Sequence, residues 1–121
     1  MAKLLIVDDE LDVREFAGNF FRKRGFDILT ASSGNDALRL VREESPDLVL
    51  LDIRMGEMSG VEVLRALRQR GNAVKVVMVS GIEEESVVKE TASLGAIGFI
   101  HKPLILEELE KVVLREFAVN I

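Results

Sequence analysis

Five polar residues that could carry out chemistry each follow a short apolar run in the sequence. Asp8 and Asp9 follow the first run, Asp52 follows the third, Ser80 follows the fourth, and Lys102 comes shortly after the fifth. If these runs end at one place in the fold, three carboxylates, a hydroxyl and an ammonium group meet there. Such a set can bind a divalent cation through its carboxylates and a phosphoryl group through the other two groups.

The three carboxylates indicate the kind of cation. Asp8, Asp9 and Asp52 would repel one another strongly at the low-dielectric mouth of a sheet, and a bound cation would offset that repulsion. Oxygen ligands without His or Cys favour a hard ion, Mg²⁺ or Mn²⁺. Because Mg²⁺ is commonly shared between a carboxylate and a phosphate, a phosphoryl group is the expected second guest. Lys102 would neutralise its oxygens, and Ser80 would hydrogen-bond to one of them.

Each of these residues has an ordinary structural interpretation when it is taken alone. An Asp pair after a strand commonly caps a helix, and Asp52 could do the same or form a turn. Ser80 with Gly81 is typical of a turn, and Lys102 with its following proline is typical of a loop. Only their convergence predicts a functional site.

The apolar runs predict the strands that would bring these residues together. Continuous apolarity over four to six residues is typical of strands buried on both faces, as in a parallel sheet. The five predicted strands are Lys3–Val7, Phe26–Ala31, Asp47–Leu51, Val74–Val79 and Ile97–Ile100.

Segments with helical spacing alternate with the predicted strands. Ser33 with Asp36 three residues later predicts the capped start of the second helix, and Gly25 and Gly71 predict the ends of the first and third. The five apolar stripes comprise Val13, Phe16, Ala17, Phe20 and Phe21; then Ala37, Leu38 and Val41; then Val61, Leu64 and Leu67; then Val87, Val88, Thr91, Ala92 and Gly95; and finally Leu106, Leu109, Val113 and Phe117.

The resulting order, a strand and a helix repeated five times, predicts an α/β fold with a doubly wound, parallel five-stranded sheet of the flavodoxin-like kind. We expect residues 1–121 to form one domain with no output domain after the fifth helix, whether it is free-standing or part of a longer protein. Ligands of such folds bind at the carboxyl ends of the strands, near the point where strand order reverses. The five polar residues are therefore expected at one edge.

Composition excludes several other classes of protein. The chain has 121 residues, no Cys, Trp or Tyr, and a net charge of −5. Disulfide frameworks, thiolate metal sites and base-stacking platforms are thus excluded, and the charge does not favour direct binding of nucleic acid. The longest apolar runs are too short for a bilayer span or a signal peptide. We expect a cytoplasmic protein without a membrane partner.

Four stretches resemble the receiver domains of response regulators in bacterial two-component signalling, which have the CheY-like fold. The resemblance covers almost the whole chain, and the order and spacing of the four stretches match the family. They are LLIVDDE (Leu4–Glu10), PDLVLLDIRM (Pro46–Met55), VVMVSG (Val76–Gly81) and GAIGFIHKP (Gly95–Pro103).

The resemblance implies a role for each candidate residue. Asp52 would be the phosphoacceptor, and Asp9, Asp52 and the backbone carbonyl of Arg54 would ligate Mg²⁺, which Mn²⁺ can replace. Asp8 would hold a metal-bound water. Ser80 and Lys102 would contact the phosphoryl group.

The resemblance also implies a conformational switch made by Ser80 and Phe99, and a cis peptide bond between Lys102 and Pro103. Three residues depart from the common family pattern: Gly56 replaces a proline, Ser80 a threonine and Phe99 a tyrosine. Arg54 and Ile82 match positions beside the path of the hydrolytic water, where neither can position a water molecule. Slow dephosphorylation is therefore expected.

The implied partners are a sensor histidine kinase or a histidine phosphotransfer protein, which would donate the phosphoryl group to Asp52. A downstream effector domain or protein would read the switch at the face of the fourth helix, fifth strand and fifth helix. The chain would not be an enzyme with a separate substrate, although it would assist its own phosphorylation and dephosphorylation. A homodimer remains open, because a group of charged residues could pair across it or face water: Lys89, Glu90, Glu107, Glu110, Lys111 and Arg115.

Three alternatives are less well supported by the residues. A flavodoxin-like electron carrier needs a phosphate-binding loop after the first strand, where the acidic run at Asp8 would repel phosphate. An aspartate-nucleophile phosphatase has an Asp-x-Asp motif, and Arg54 stands where the second Asp would be. His101 could suggest a phosphohistidine donor, but such histidines lie on exposed helices and His101 is expected at a strand end.

Overall fold

A computed structural model of the chain describes residues 2–81 and 84–117, in which five strands alternate with five helices. The strands are β1 (Lys3–Val7), β2 (Asp27–Ala31), β3 (Leu48–Asp52), β4 (Lys75–Ser80) and β5 (Gly98–His101). The helices are α1 (Leu11–Arg22), α2 (Gly34–Glu44), α3 (Gly60–Gln69), α4 (Glu85–Ser93) and α5 (Leu106–Phe117).

The strands form one parallel sheet in the order β2-β1-β3-β4-β5, which confirms the predicted fold. Strand order reverses between β1 and β3, because the chain moves outward from β1 to β2 and then returns to the other side. The ends of β1 and β3 therefore flank the position where ligands of doubly wound sheets bind.

Three strands extend one polar residue further than their apolar runs predict. Asp52, Ser80 and His101 are the last residues of β3, β4 and β5, and they continue the ladder of backbone pairs. Asp52 pairs in register with Val79, and Ser80 pairs with His101. The prediction ended each strand too early because it followed side-chain polarity, whereas the ladder depends on backbone groups.

Helices cover both faces of the sheet and bury two apolar cores. One core packs α1 and α5 against the sheet, and the other packs α2 and α3 against the opposite face. Three predicted stripe residues are exposed: Phe16, whose exposed fraction is 57%, Ala92 and Gly95. In α1 the buried stripe is centred on Ala17 and Phe21, so that Phe16 lies at its margin. In α4 only Thr91 is buried.

The predicted helix signals at Ser33, Gly25 and Gly71 are present in the structure. The Ser33 hydroxyl accepts a hydrogen bond of 3.2 Å from the Asp36 amide at the start of α2. Gly25 and Gly71 follow α1 and α3 with φ of 90° and 75°, a backbone conformation that glycine adopts at little cost. Across the described ranges, none of the helices has the length and apolarity to cross a membrane.

Candidate functional site

The carboxyl edge of the sheet brings together the five predicted residues, with Asp9 next to Asp8. Asp8 directly follows β1, Asp52 ends β3 and Ser80 ends β4, while Lys102 directly follows β5. Asp8, Asp52 and Ser80 are 2%, 4% and 1% exposed. Polar side chains are rarely buried to this degree without partners, so this edge is the candidate functional site.

Lys102 lies between the two buried carboxylates. Its Nζ is 3.1 Å from Asp8 Oδ2 and 3.1 Å from Asp52 Oδ2. Its backbone amide donates to the Ser80 carbonyl at 2.8 Å, which extends the β4–β5 pairing and holds the main chain of Lys102 beside Ser80. The next peptide bond, Lys102–Pro103, is cis, as the resemblance implied.

Burial dominates the ionisation of Asp52. Burial raises the pKa of the Asp52 carboxyl most, the hydrogen bond from Lys102 lowers it, and the charge of Asp8 raises it. The net result is a pKa of about 6. For Lys102, burial lowers the pKa, but hydrogen bonds to Asp52 and Asp8 outweigh burial and raise it overall. At neutral pH Lys102 thus keeps its positive charge, and Asp52 is mainly ionised.

A second acidic group surrounds Asp8. One carboxylate oxygen from each of Asp8, Asp9 and Glu10 lies within 4.8 Å of the others, an arrangement that could hold a metal ion. Asp9 and Glu10 are exposed, whereas Asp8 is buried and its Oδ1 accepts from the Glu10 amide at 2.9 Å. Glu10 was not among the residues predicted for the site, although its position next to Asp9 in the sequence was a usable signal.

Arg14, which was not among the predicted site residues, also contacts this part of the site. From the first turn of α1 its guanidinium donates to the Asp8 carbonyl at 2.8 Å. A helix residue six positions after Asp8 carries no pattern that predicts this contact. The bond helps to fix the backbone from which Asp8 projects.

Two glycines shape the loop after Asp52, Gly60 through close packing and Gly56 through its backbone conformation. A Cβ on Gly60 would lie 2.2 Å from the Asp52 carbonyl oxygen, so only glycine lets α3 begin against the end of β3. Gly56 has φ of 54° within the intervening loop, which carries the exposed residue Arg54. Arg54 lies two residues after Asp52, at the start of this loop.

The proposed switch residues lie on neighbouring strands. Ser80 is buried at the end of β4, and Phe99 in β5 is half-buried against the core between α3 and the sheet. The Phe99 ring lies 5.3 Å from the ring of His101, which is exposed at the end of β5, as expected of a strand-end histidine. The prediction of slow dephosphorylation depends in part on Ile82. Ile82 and Glu83 lie outside the described residues.

Comparisons with known proteins point to one family. The family model described as "Response regulator receiver domain" matches residues 4–114. Sporulation initiation phosphotransferase F of Bacillus subtilis is 33% identical over 111 residues, covering 92% of this chain and 90% of that protein. The chemotaxis protein CheY of Listeria monocytogenes is 37% identical over 116 residues, covering 92% and 98%. The regulatory protein AtoC of Escherichia coli is 36% identical, but this chain spans 24% of its length.

Solved structures agree with this result. The chemotaxis protein CheY4 of Vibrio cholerae superposes with a TM-score of 0.89 at 28% identity, covering 95% of this chain and 98% of that chain. A CheY-like response regulator receiver domain protein of Methanospirillum hungatei gives 0.88 at 26% identity, covering 98% and 95%. These likenesses extend over the whole sheet and its helices.

Proposed function

Because the chain belongs to the receiver domains of two-component response regulators, we propose that it accepts a phosphoryl group on Asp52 and changes conformation in response. The observation that carries this proposal is the bridge made by Lys102 between Asp52 and Asp8 at a buried sheet edge. Membership of this family also leaves the electron carrier and the phosphatase without support. Phosphorylation with a small phosphodonor, described in the Discussion, is the decisive test.

In the proposed reaction, a carboxylate oxygen of Asp52 attacks the phosphorus of a phosphohistidine. The new P–O bond forms as the P–N bond breaks, and the imidazole nitrogen leaves with the bonding electron pair and takes up a proton. Lys102 keeps its positive charge beside Asp52 and stabilises the negative charge on the phosphoryl oxygens. Ser80 would donate a hydrogen bond to one of those oxygens.

The acidic group around Asp8 fits a hard cation, since its donors are carboxylate oxygens alone. We propose Mg²⁺, which Mn²⁺ can replace, held by Asp9, Asp52 and the Arg54 carbonyl, with Asp8 acting through a water. Glu10 is a further donor within reach of the same group. When bound, the ion would neutralise charge on the phosphoryl oxygens.

Excess Mg²⁺ is expected to stabilise the folded chain. A ligand that binds only the folded state, at a hundredfold excess over its dissociation constant, adds about 2.7 kcal/mol to the free energy of unfolding. Calorimetry in EDTA and in excess Mg²⁺ should show a rise in Tm, which Asp9→Asn should reduce. Asp27→Asn at the opposite edge of the sheet makes the same charge change and should leave the rise intact. An unchanged Tm in the unmodified protein would contradict the metal site.

Ser80→Ala should separate phosphorylation from switching. The alanine variant keeps Asp52 and Lys102, so it should still be phosphorylated, but it lacks the hydroxyl that would contact the phosphoryl group. A fluorine label on Phe99 should shift on phosphorylation of the unmodified protein, as the half-buried ring becomes buried, and shift much less in the variant. Thr30→Val, which removes an exposed hydroxyl from β2 at the edge of the sheet opposite to β5, is the control. Equal shifts in all three proteins would exclude the role of Ser80.

Response regulators as a class interact with kinases and effectors. For this chain we propose a sensor histidine kinase or histidine phosphotransfer protein as donor, and an effector that reads the face of α4, β5 and α5. Half of the charges considered for a homodimer pair within the chain. Lys89 contacts Glu85 at 3.0 Å, and Glu90 and Glu110 contact arginines of α3 and of the turn after α1. These internal pairs weaken the case for a charge-paired dimer.

A further inference from the structure

Arg68, the penultimate residue of α3, binds four backbone carbonyl groups on two loops. Its Nε donates to the Leu94 carbonyl at 2.7 Å, and its Nη2 donates to the Gly95 carbonyl at 3.4 Å. Its Nη1 donates to the carbonyls of Asn72 and Val74, both at 2.9 Å. Across residues 2–81 and 84–117, all of its hydrogen-bond partners are carbonyl oxygens. A guanidinium with this set of partners joins two chain segments rather than neutralising an acid.

The carbonyls of Leu94 and Gly95 lie at the end of α4, and this end has a particular need for a cation. The helix finishes in a Schellman motif, in which the amide of Ala96 donates to the Thr91 carbonyl at 3.0 Å and Gly95 has φ of 82°. Its last turn contains no basic residue. The negative end of the helix dipole is therefore met by a guanidinium from α3 rather than by a side chain of α4 itself.

The rest of α4 is held lightly. Thr91 is its one buried residue, and Glu84 at its start makes no side-chain cap. The ion pair between Arg65 of α3 and Glu90 of α4 joins two partly exposed side chains, and solvent screening keeps the contribution of such pairs to stability small. The helix thus has a firmly bound carboxyl end and a lightly bound amino end. The amino end is the one that follows Ser80 in the chain.

We propose that Arg68 is a positioning residue that makes the carboxyl end of α4 a fixed pivot. A change at Ser80 then moves the amino end of α4, while Leu94 and Gly95 keep their place beside the start of β5. The transmission of the change to Phe99 depends on this pivot. This last step rests on the proposed function, whereas the pivot itself is a property of the unphosphorylated chain.

Amide hydrogen exchange read by mass spectrometry tests the pivot in the full chain. We compare the unmodified protein with Arg68→Gln, Arg68→Lys and the matched control Arg65→Gln, all without phosphodonor. Loss of hydrogen bonds to a charged donor should speed exchange of amides 94–97 by about tenfold or more in Arg68→Gln. Arg68→Lys keeps the charge but loses the planar set of guanidinium donors. Its exchange rate should therefore lie between those of the unmodified protein and Arg68→Gln. Arg65→Gln should stay within about twofold of the unmodified protein, because it breaks only an exposed pair.

The second measurement is the fluorine shift of Phe99 after treatment with acetyl phosphate and Mg²⁺, scaled to equal phosphorylation of Asp52. Arg68→Gln should lose most of this shift, Arg68→Lys should recover part of it, and Arg65→Gln should retain it. A general loss of stability would not separate the variants in this way. Should the glutamine variant fail to fold, the lysine variant supplies both measurements.

Exchange of amides 94–97 at the unmodified rate in the folded Arg68 variants would overturn the pivot. A full Phe99 shift in them would overturn its part in transmission. If the unmodified protein takes no phosphoryl group at all, the proposed function fails. The exchange rates would still decide the pivot in that event.

Discussion

Asp52→Asn is expected to abolish phosphorylation of the protein by acetyl phosphate or phosphoramidate in the presence of Mg²⁺. The unmodified protein should gain one phosphoryl group, and the gain should require Mg²⁺ or Mn²⁺. Asparagine occupies the same space but offers an amide in place of the carboxylate nucleophile beside Lys102. The intact mass of each protein, measured before and after treatment, gives the result directly.

Two controls make this result specific to Asp52. Asp27→Asn carries the same substitution at the exposed start of β2 and should be phosphorylated like the unmodified protein. Brief alkali should remove the group, because an acyl phosphate is a mixed anhydride. Modification of Asp52→Asn to the same extent as the unmodified protein would show that the acceptor lies elsewhere.

The same substitution should stabilise the metal-free protein, by an amount that depends on pH. Burial raises the pKa of Asp52 to about 6 in the folded state, whereas the ordinary value is 3.8. Above about pH 6 the Asp52 carboxylate is therefore ionised in a buried place that disfavours its charge. This ionisation lowers the free energy of unfolding by up to about 3 kcal/mol. An asparagine side chain does not ionise, so Asp52→Asn should be the more stable protein at about pH 8.

The sign of this effect follows from where the protons bind. Between pH 3.8 and about 6 the folded state holds the Asp52 proton more tightly than the unfolded chain, so stability falls as pH rises. Well below pH 3.8 both states are protonated, and the advantage of the asparagine variant should vanish. Urea unfolding in EDTA across this range measures the difference, in which the titration of groups that do not contact Asp52 cancels.

Asp9→Asn is the matched comparison for the stability effect. Asp9 is exposed, so its charge is solvated and its removal should change the metal-free stability by less than about 0.5 kcal/mol. The sequence alone grouped Asp8, Asp9 and Asp52 as equal members of a repelling cluster, and the structure separates them by burial. Equal stabilisation by both substitutions, or none by Asp52→Asn near pH 8, would contradict the role assigned to burial.

The sequence by itself determined the order of elements, the parallel sheet and the edge at which the polar residues meet. These features depend on local signals. Apolar runs favour buried strands, Ser33 with Asp36 favours a helix start, and glycines favour helix ends. Because the strands of such folds are parallel, the residues that directly follow them all lie at the same edge of the sheet. The resemblance to receiver domains added roles to residues that these local signals had already placed.

Tertiary structure decided which of those residues contact one another. Lys102 and Asp52 are 50 positions apart, and their separation of 3.1 Å depends on the pairing of β3, β4 and β5 together. The raised pKa of Asp52 also depends on burial by several elements at once. Arg68 looks like any other basic residue near a helix end, because its partners are backbone carbonyls, which carry no sequence signal. Contacts set by packing across the sheet leave no local pattern, and so only the folded chain reveals them.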